Sequence, residues 1–279
     1  MQHKHFLAYS PHGFHKVAYT EWGDPHNPRV VLCVHGLTRN SRDFDDLARV
    51  LENDYRVICP DVIGRGRSDW LAHKADYGYP LYVSQMSALI AHLGIESVDW
   101  VGTSMGGLIG MMIASLPGNP IGRLVMNDIG AFVPKASLQR IGLYVGKDPV
   151  FEDLRQLEAY VRKIAVSFGP LTDAQWRHLA EYGHRQDPNG KLRLAYDPAI
   201  GEPFQSPQND VDLWPVWNAL RCPVLVIRGG DSDLLLADTV TEMKRRARTE
   251  SVEFAGIGHA PMLMDHEQIK PIREFLLRA

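Results

Sequence analysis

Apolar residues recur along this chain in two alternating rhythms. Short, nearly continuous apolar runs occupy residues 29–34, 55–59, 98–103, 122–128 and 223–228. A strand that is apolar on both faces is what a parallel sheet needs when helices cover it on both sides. Between these runs, apolar residues return every three or four positions. Residues 43–52 place Phe44, Leu47, Ala48 and Leu51 on one helical face. Residues 82–93 do the same with Met86, Leu89, Ile90 and Leu93, and Gly94 follows as a C-cap. Two earlier runs, 6–9 and 16–22, flank the turn Pro11-His12-Gly13. Near the end come a helix over 239–247 with a basic last turn, a strand over 252–254 and a helix over 267–277. Strand and helix in alternation predict an α/β fold with a mostly parallel sheet covered by helices on both faces.

The alternation stops near residue 130 and resumes near 222. In between lie helix signals and little strand signal. Residues 137–145 end at Gly146, and residues 151–168 carry Leu154, Leu157, Val161, Ile164, Ala165 and Phe168 at helical spacing. Thr172-Asp173-Ala174-Gln175 has the form of a capping box opening a helix to about Tyr182. Asp187-Pro188-Asn189-Gly190 reads as a turn, and residues 197–212 read as irregular. The pattern therefore predicts a core of residues 1–129 and 222–279, with residues 130–221 inserted as a helical cap.

Length and charge narrow the classes of function. The 279 residues, 45% hydrophobic and 23% charged, can form one sizeable globular core with an insertion. A formal net charge of −3 offers no electrostatic footing for nucleic acid or an anionic membrane. No apolar run approaches the roughly 20 residues that span a bilayer. Met1 to His5 are not followed by an apolar segment, so no signal peptide is expected. Cys33, Cys59 and Cys222 lie in or beside apolar runs and are expected as buried free thiols, which suits a cytoplasmic location. No His, Cys, Asp or Glu residues are grouped at metal-ligand spacing, so neither metal nor cofactor is expected. A small molecule is the expected partner, and self-association is left open.

The chemistry centres on Gly102-Thr103-Ser104-Met105-Gly106, between an apolar strand and an apolar helix. Glycines on both sides of a sharp strand-to-helix turn remove the Cβ atoms that would clash, and the residue at the tip projects from the sheet. The adjoining helix N-terminus favours developing negative charge. A serine hydroxyl is a poor nucleophile unless a base takes its proton, and the base needs an anionic partner. His259, in a Gly-x-Gly-His turn after the last strand, is the candidate base. Asp233, past the strand over 223–228, is the candidate acid, with Asp231 and Asp128 as rivals. Oxyanion donors are expected from the backbone N–H groups of Met105, directly after the serine, and Leu37, where Gly36 permits close approach. His35 is expected to shape that loop. Arg39, nearby, is a solvated surface residue or a carboxylate anchor. Tyr144, Trp214 and Trp217 line a pocket or pack the cap against the core.

His35-Gly36, Asp61-x-x-Gly64-x-Gly66-x-Ser68, Gly102-Thr103-Ser104-Met105-Gly106-Gly107, the Gly-Asp-Ser-Asp segment and Gly258-His259 together resemble the α/β-hydrolase superfamily. The resemblance spans nearly the whole chain. It implies an eight-stranded sheet, a substrate pocket under the cap and a cofactor-free serine hydrolase mechanism with Ser104, Asp233 and His259. The Ser-Met-Gly-Gly elbow is similar to that of esterases and meta-cleavage-product hydrolases. Cleavage of a carboxylic ester, lactone or thioester through acyl-Ser104 is the first expectation. Carbon–carbon bond hydrolysis of a dienone acid is the second, although Leu37-Thr38-Arg39-Asn40 departs from the Gly-Pro-Gly-rich loop of that group. A ligand-sensing protein that retains the triad is the third.

Overall fold

The computed structural model describes residues 1–206, 209–246 and 248–278. The hairpin β1 (Gln2–Ser10) and β2 (Gly13–Trp22) leads into β3 (Val30–Val34), α1 (Asp45–Leu51), β4 (Arg56–Pro60) and α2 (Tyr79–His92). Then come β5 (Val98–Thr103), α3 (Met105–Ala114) and β6 (Ile121–Asn127). The segment between β6 and the next strand of the main sheet holds β7 (Phe132–Val133), α4 (Lys135–Gly142), α5 (Leu154–Ile164), α6 (Asp173–Tyr182), β8 (His184–Gln186), β9 (Leu192–Leu194), β10 (Val211–Asp212) and α7 (Trp214–Asn218). The chain closes with β11 (Val224–Gly229), α8 (Ala237–Arg246), β12 (Thr249–Phe254) and α9 (His266–Leu276).

The main sheet has eight strands in the order β1-β2-β4-β3-β5-β6-β11-β12. Only β2 runs against its neighbours; the pairings from β4 to β12 are parallel. Successive side chains alternate between two separate cores, as the pleat requires. Leu32, Val34, Ile58, Trp100, Leu124, Met126 and Val226 face one side, where Met86 and Leu89 of α2 and Ile109 and Met111 of α3 pack. Val31, Cys33, Val57, Cys59, Val101, Val125 and Ile227 face the other, against Leu47 and Leu51 of α1 and Ile269, Ile272 and Phe275 of α9. Each such side chain, removed from water, contributes roughly 1.5–3 kcal/mol. All three cysteines are free; Cys33 and Cys59 are buried, whereas Cys222 is partly exposed. Among the described residues no helix is long and apolar enough to cross a membrane.

The insertion departs from the expectation in detail. Thr172 and Gln175 form the capping box that opens α6. The periodic segment 151–168 breaks into α5 and a 3-10 turn at Val166–Phe168. Residues 197–212 contain a 3-10 helix, Pro198–Phe204. Two small antiparallel ribbons, β7 with β10 and β8 with β9, were not expected. At two or three residues each they are too short to carry a period-two signal. Ala247, the expected last residue of the helix from 239, lies outside the described residues, as do 207 and 208.

The turn from β5 to α3 is held by close packing. Ser104 at its tip has φ 51° and ψ −114°, a conformation outside the common regions for a non-glycine residue. A Cβ on Gly106 would lie 1.9 Å from the carbonyl oxygen of Val34, and one on Gly102 would lie 2.3 Å from the Gly106 carbonyl. The Trp100 indole donates to that same Gly106 carbonyl at 2.9 Å. Because Val34 is backbone in the middle of the sheet, it cannot yield. Gly106→Ala is therefore expected to lower unfolding free energy by more than about 3 kcal/mol, measured by urea denaturation. A loss below about 1 kcal/mol would contradict this packing.

Candidate active site

Three loops at the C-terminal ends of parallel strands bring the chemistry together. Ser104 stands between β5 and α3, Asp128 directly follows β6, and His259 follows β12. The Ser104 hydroxyl donates to His259 Nε2 at 2.9 Å, and His259 Nδ1–H donates to Asp128 Oδ2 at 2.8 Å. A carboxylate can only accept, so it fixes the imidazole proton on Nδ1 and leaves Nε2 free to take the serine proton. Asp128 is fully buried, and His259 is nearly so. The carboxylate is compensated by two further donors, Gly229 N–H at 2.8 Å to Oδ1 and the Ser232 hydroxyl at 2.6 Å to Oδ2. Asp128 also has a positive φ, 54°, which turns the chain out of β6 and aims its side chain between β11 and the histidine loop.

Asp233, expected as the acid, lies elsewhere. Its carboxylate is half exposed and pairs with Arg140 of α4, whose Nη2 donates at 2.9 Å. Asp231 is exposed as well. The loop that was expected to supply the acid instead supplies donors to it. Ser232 spans both jobs: its hydroxyl donates to Asp128 and accepts from the N–H groups of Leu234 and Leu235 at 3.2 and 3.1 Å. Leu37 and Met105 both lie beside Ser104. A Cβ on Gly36 would be 3.8 Å from Ser104 Cβ, so the loop backbone lies against the elbow. Among the described residues neither the Leu37 nor the Met105 N–H donates to another protein group.

His35 shapes this loop from within. It is fully buried, its Nδ1–H donates to the Gly36 carbonyl at 2.7 Å, and its Nε2 accepts from Val62 N–H at 2.9 Å. Burial, with smaller contributions from the Arg65 and Arg39 cations, lowers its pKa to about 3. Arg39 forks onto Asp43, with Nε and Nη2 donating at 2.9 and 2.6 Å. Both residues line the pocket, so the cation there is largely neutralised.

The pocket over Ser104 and His259 is a cavity of about 110 Å³. Its floor is Gly36, Leu37 and Ala260, and its roof is apolar, from Ile141, Val145, Val161, Ile164 and Phe168 of the inserted segment. Tyr144 also lines it, whereas Trp217 is buried in the core below. Ser167 of the insertion ties the roof to the histidine loop: its hydroxyl donates to the His259 carbonyl at 2.7 Å and its carbonyl accepts from Gly258 N–H at 2.7 Å. Among the described residues no three His, Cys, Asp or Glu side chains are placed to hold a metal ion. A hydroxyl, an imidazole and a buried carboxylate in series, beside two unengaged amides, can activate the hydroxyl and hold a developing oxyanion.

A mostly parallel eight-stranded sheet with this constellation at its C-terminal edge defines a class of hydrolase, and the comparisons agree. Residues 31–270 match the model of the alpha/beta hydrolase family. The chain belongs to that family. It is 48% identical over 280 residues to the 3-hydroxybutyrate-oligomer hydrolase of Cupriavidus necator, covering 97% of this chain and 96% of that one. A solved chain from Rickettsia typhi superposes with a TM-score of 0.94 at 37% identity, covering 99% of both chains. An alpha/beta hydrolase from Novosphingobium aromaticivorans gives 0.88, also at 37% identity and 99% coverage of both.

The depressed His35 pKa links stability to acidity. Because the folded-state value lies below the unfolded value of 6.5, the unfolded chain takes up the proton first. This contribution is fully present above pH 6.5 and is lost as pH falls toward about 3. Urea denaturation from pH 6.5 to 4 should show a slope in unfolding free energy that His35→Gln reduces by up to about 1.4 kcal/mol per pH unit. Equal slopes in the two proteins would contradict the neutral, buried imidazole.

Proposed function

We propose that this chain is a serine esterase that hydrolyses short oligoesters of 3-hydroxybutyrate or closely similar hydroxy acids. The observation that carries the reaction is the unbroken hydrogen-bonded series that runs from Ser104 in the pocket through His259 to the buried Asp128. The substrate class rests on the relative that shares 48% identity over nearly all of both chains. An apolar roof facing the Ser104 hydroxyl and the His259 imidazole suits a chain of methyl-branched ester units.

In this reading His259 Nε2 takes the Ser104 proton as the oxygen attacks the ester carbonyl. The carbonyl oxygen becomes an oxyanion between the N–H groups of Leu37 and Met105. Each such donor contributes on the order of 3–4 kcal/mol to the transition state. The imidazolium, stabilised by Asp128, then protonates the departing alkoxide, and an acyl-Ser104 ester remains. Water attacks the acyl carbon while giving a proton to His259, and the imidazolium returns a proton to the Ser104 oxygen as the acid leaves. Asp128 takes the part first assigned to Asp233. Residues 130–221 act as the cap: their apolar side chains select the acyl and alcohol groups and exclude bulk water.

The test is acid release from 3-hydroxybutyrate dimer and trimer, followed by titration, for the wild type and single variants. Ser104→Ala should abolish release. Asp128→Asn should lower kcat by about 10⁴-fold, whereas Asp233→Asn should stay within about threefold of wild type. Oligomers left intact by an enzyme that cleaves simple aryl esters would remove the substrate assignment. Inactivity of Asp233→Asn beside an active Asp128→Asn would remove the assignment of the acid.

A further inference from the structure

Arg65 follows β4 in the loop that runs from Asp61 to Ser68, and its side chain has no exposed surface. Nε donates to the Leu37 carbonyl at 2.9 Å and Nη1 to the Ile63 carbonyl at 2.8 Å. Nη2 approaches the sulfur of Met105 at 3.4 Å, and the guanidinium lies 4.8 Å from the centre of the Tyr82 ring. Every one of these partners is neutral. Among the described residues no carboxylate pairs with Arg65. Asp61, buried on the same loop, is occupied by the N–H groups of Ser41 and Arg67. Asp197 is occupied by Lys74 and Tyr77. His35 beside it stays neutral and adds no second positive charge.

Stability does not account for this arrangement. A buried charge without a counterion costs several kcal/mol, which neutral hydrogen-bond acceptors and an aromatic ring offset only in part. Such violations concentrate where function demands them. The guanidinium spans the two residues whose amides stand beside Ser104, touching the backbone of one and the side chain of the other. In a low-dielectric interior its positive field reaches the adjacent cavity floor poorly screened.

We propose that Arg65 is a positioning residue of the oxyanion site: it holds the Leu37 loop against the elbow and adds a fixed positive field beneath the oxygen that becomes negative. The inference rests on the reading of Leu37 and Met105 as oxyanion donors. Its effect falls on the transition state, where the charge develops, and little on the neutral substrate.

The test compares Arg65→Met, Arg65→Gln and Arg65→Lys for kcat, KM, thermal midpoint and affinity for an alkylboronic acid, which forms a tetrahedral anion on a nucleophilic serine. Arg65→Met should lower kcat by about 10- to 100-fold, with KM within about threefold. Boronate affinity should fall in parallel with kcat, and Arg65→Lys, which keeps the charge, should recover most of both. Arg65→Gln, neutral but able to donate to Leu37, serves in place of the methionine variant if that one does not fold. Folded neutral variants with wild-type kcat and boronate affinity would overturn the proposal, as would a lysine variant no better than the neutral ones. If Ser104→Ala also retains turnover, the esterase reading beneath it fails; if Ser104 is essential, only the role of Arg65 does.

Discussion

A carboxylate with no access to water survives only where donors surround it, and Asp128 meets that demand from three directions. Gly229 at the end of β11, Ser232 in the loop beyond it and His259 after β12 all donate to its two oxygens. These bonds draw three strand ends toward one point, and the remaining imidazole nitrogen is thereby presented to Ser104. The sheet order supplies the geometry: β5, β6, β11 and β12 are consecutive neighbours, so the loops that carry Ser104, Asp128, Ser232 and His259 emerge side by side. Removing the carboxylate would free the imidazole to rotate and would leave the Ser232 hydroxyl and Gly229 N–H without an acceptor.

Strain marks the same places. Ser104 and Asp128 are two of the three non-glycine residues with positive φ among the described residues, and both sit where a strand breaks into the site. Such conformations cost on the order of 1–3 kcal/mol each and persist only where the surroundings determine them. At Ser104 the surroundings are glycines packed against the β3 backbone; at Asp128 they are the donors just named. The cavity above continues the pattern: its floor is rigid backbone from the core, and its roof is side chains from the insertion, tied down at Ser167.

Much of this was legible in the sequence. The main strands and the serine and histidine turns follow from apolar runs and glycine spacing, which are local properties. The acid was harder, because Asp128, Asp231 and Asp233 all follow an apolar strand and differ only in which way the chain turns afterwards. A positive φ at a non-glycine residue leaves no mark in the residue pattern. One signal was present: Asp128 abuts its strand without an intervening glycine, whereas Asp233 lies four residues past Gly229, far enough along the loop to reach Arg140 at the surface. The β8–β9 ribbon was hidden for a different reason. His184-Arg185-Gln186 has no apolar alternation, and its pairing with Leu192–Leu194 depends on the Asp187–Gly190 turn. Arg65, in a loop between glycines, carries no local sign that it is buried.

The account depends most on the Ser104 oxygen being a nucleophile because His259 is held to accept its proton. Peptide mass mapping after reaction with a fluorophosphonate ester measures this directly. The account predicts a single stable adduct on the peptide containing Ser104, formed rapidly in the wild-type protein and not detectably in His259→Ala. A protein that hydrolyses esters yet takes no adduct at Ser104, or labels equally fast without His259, would contradict it.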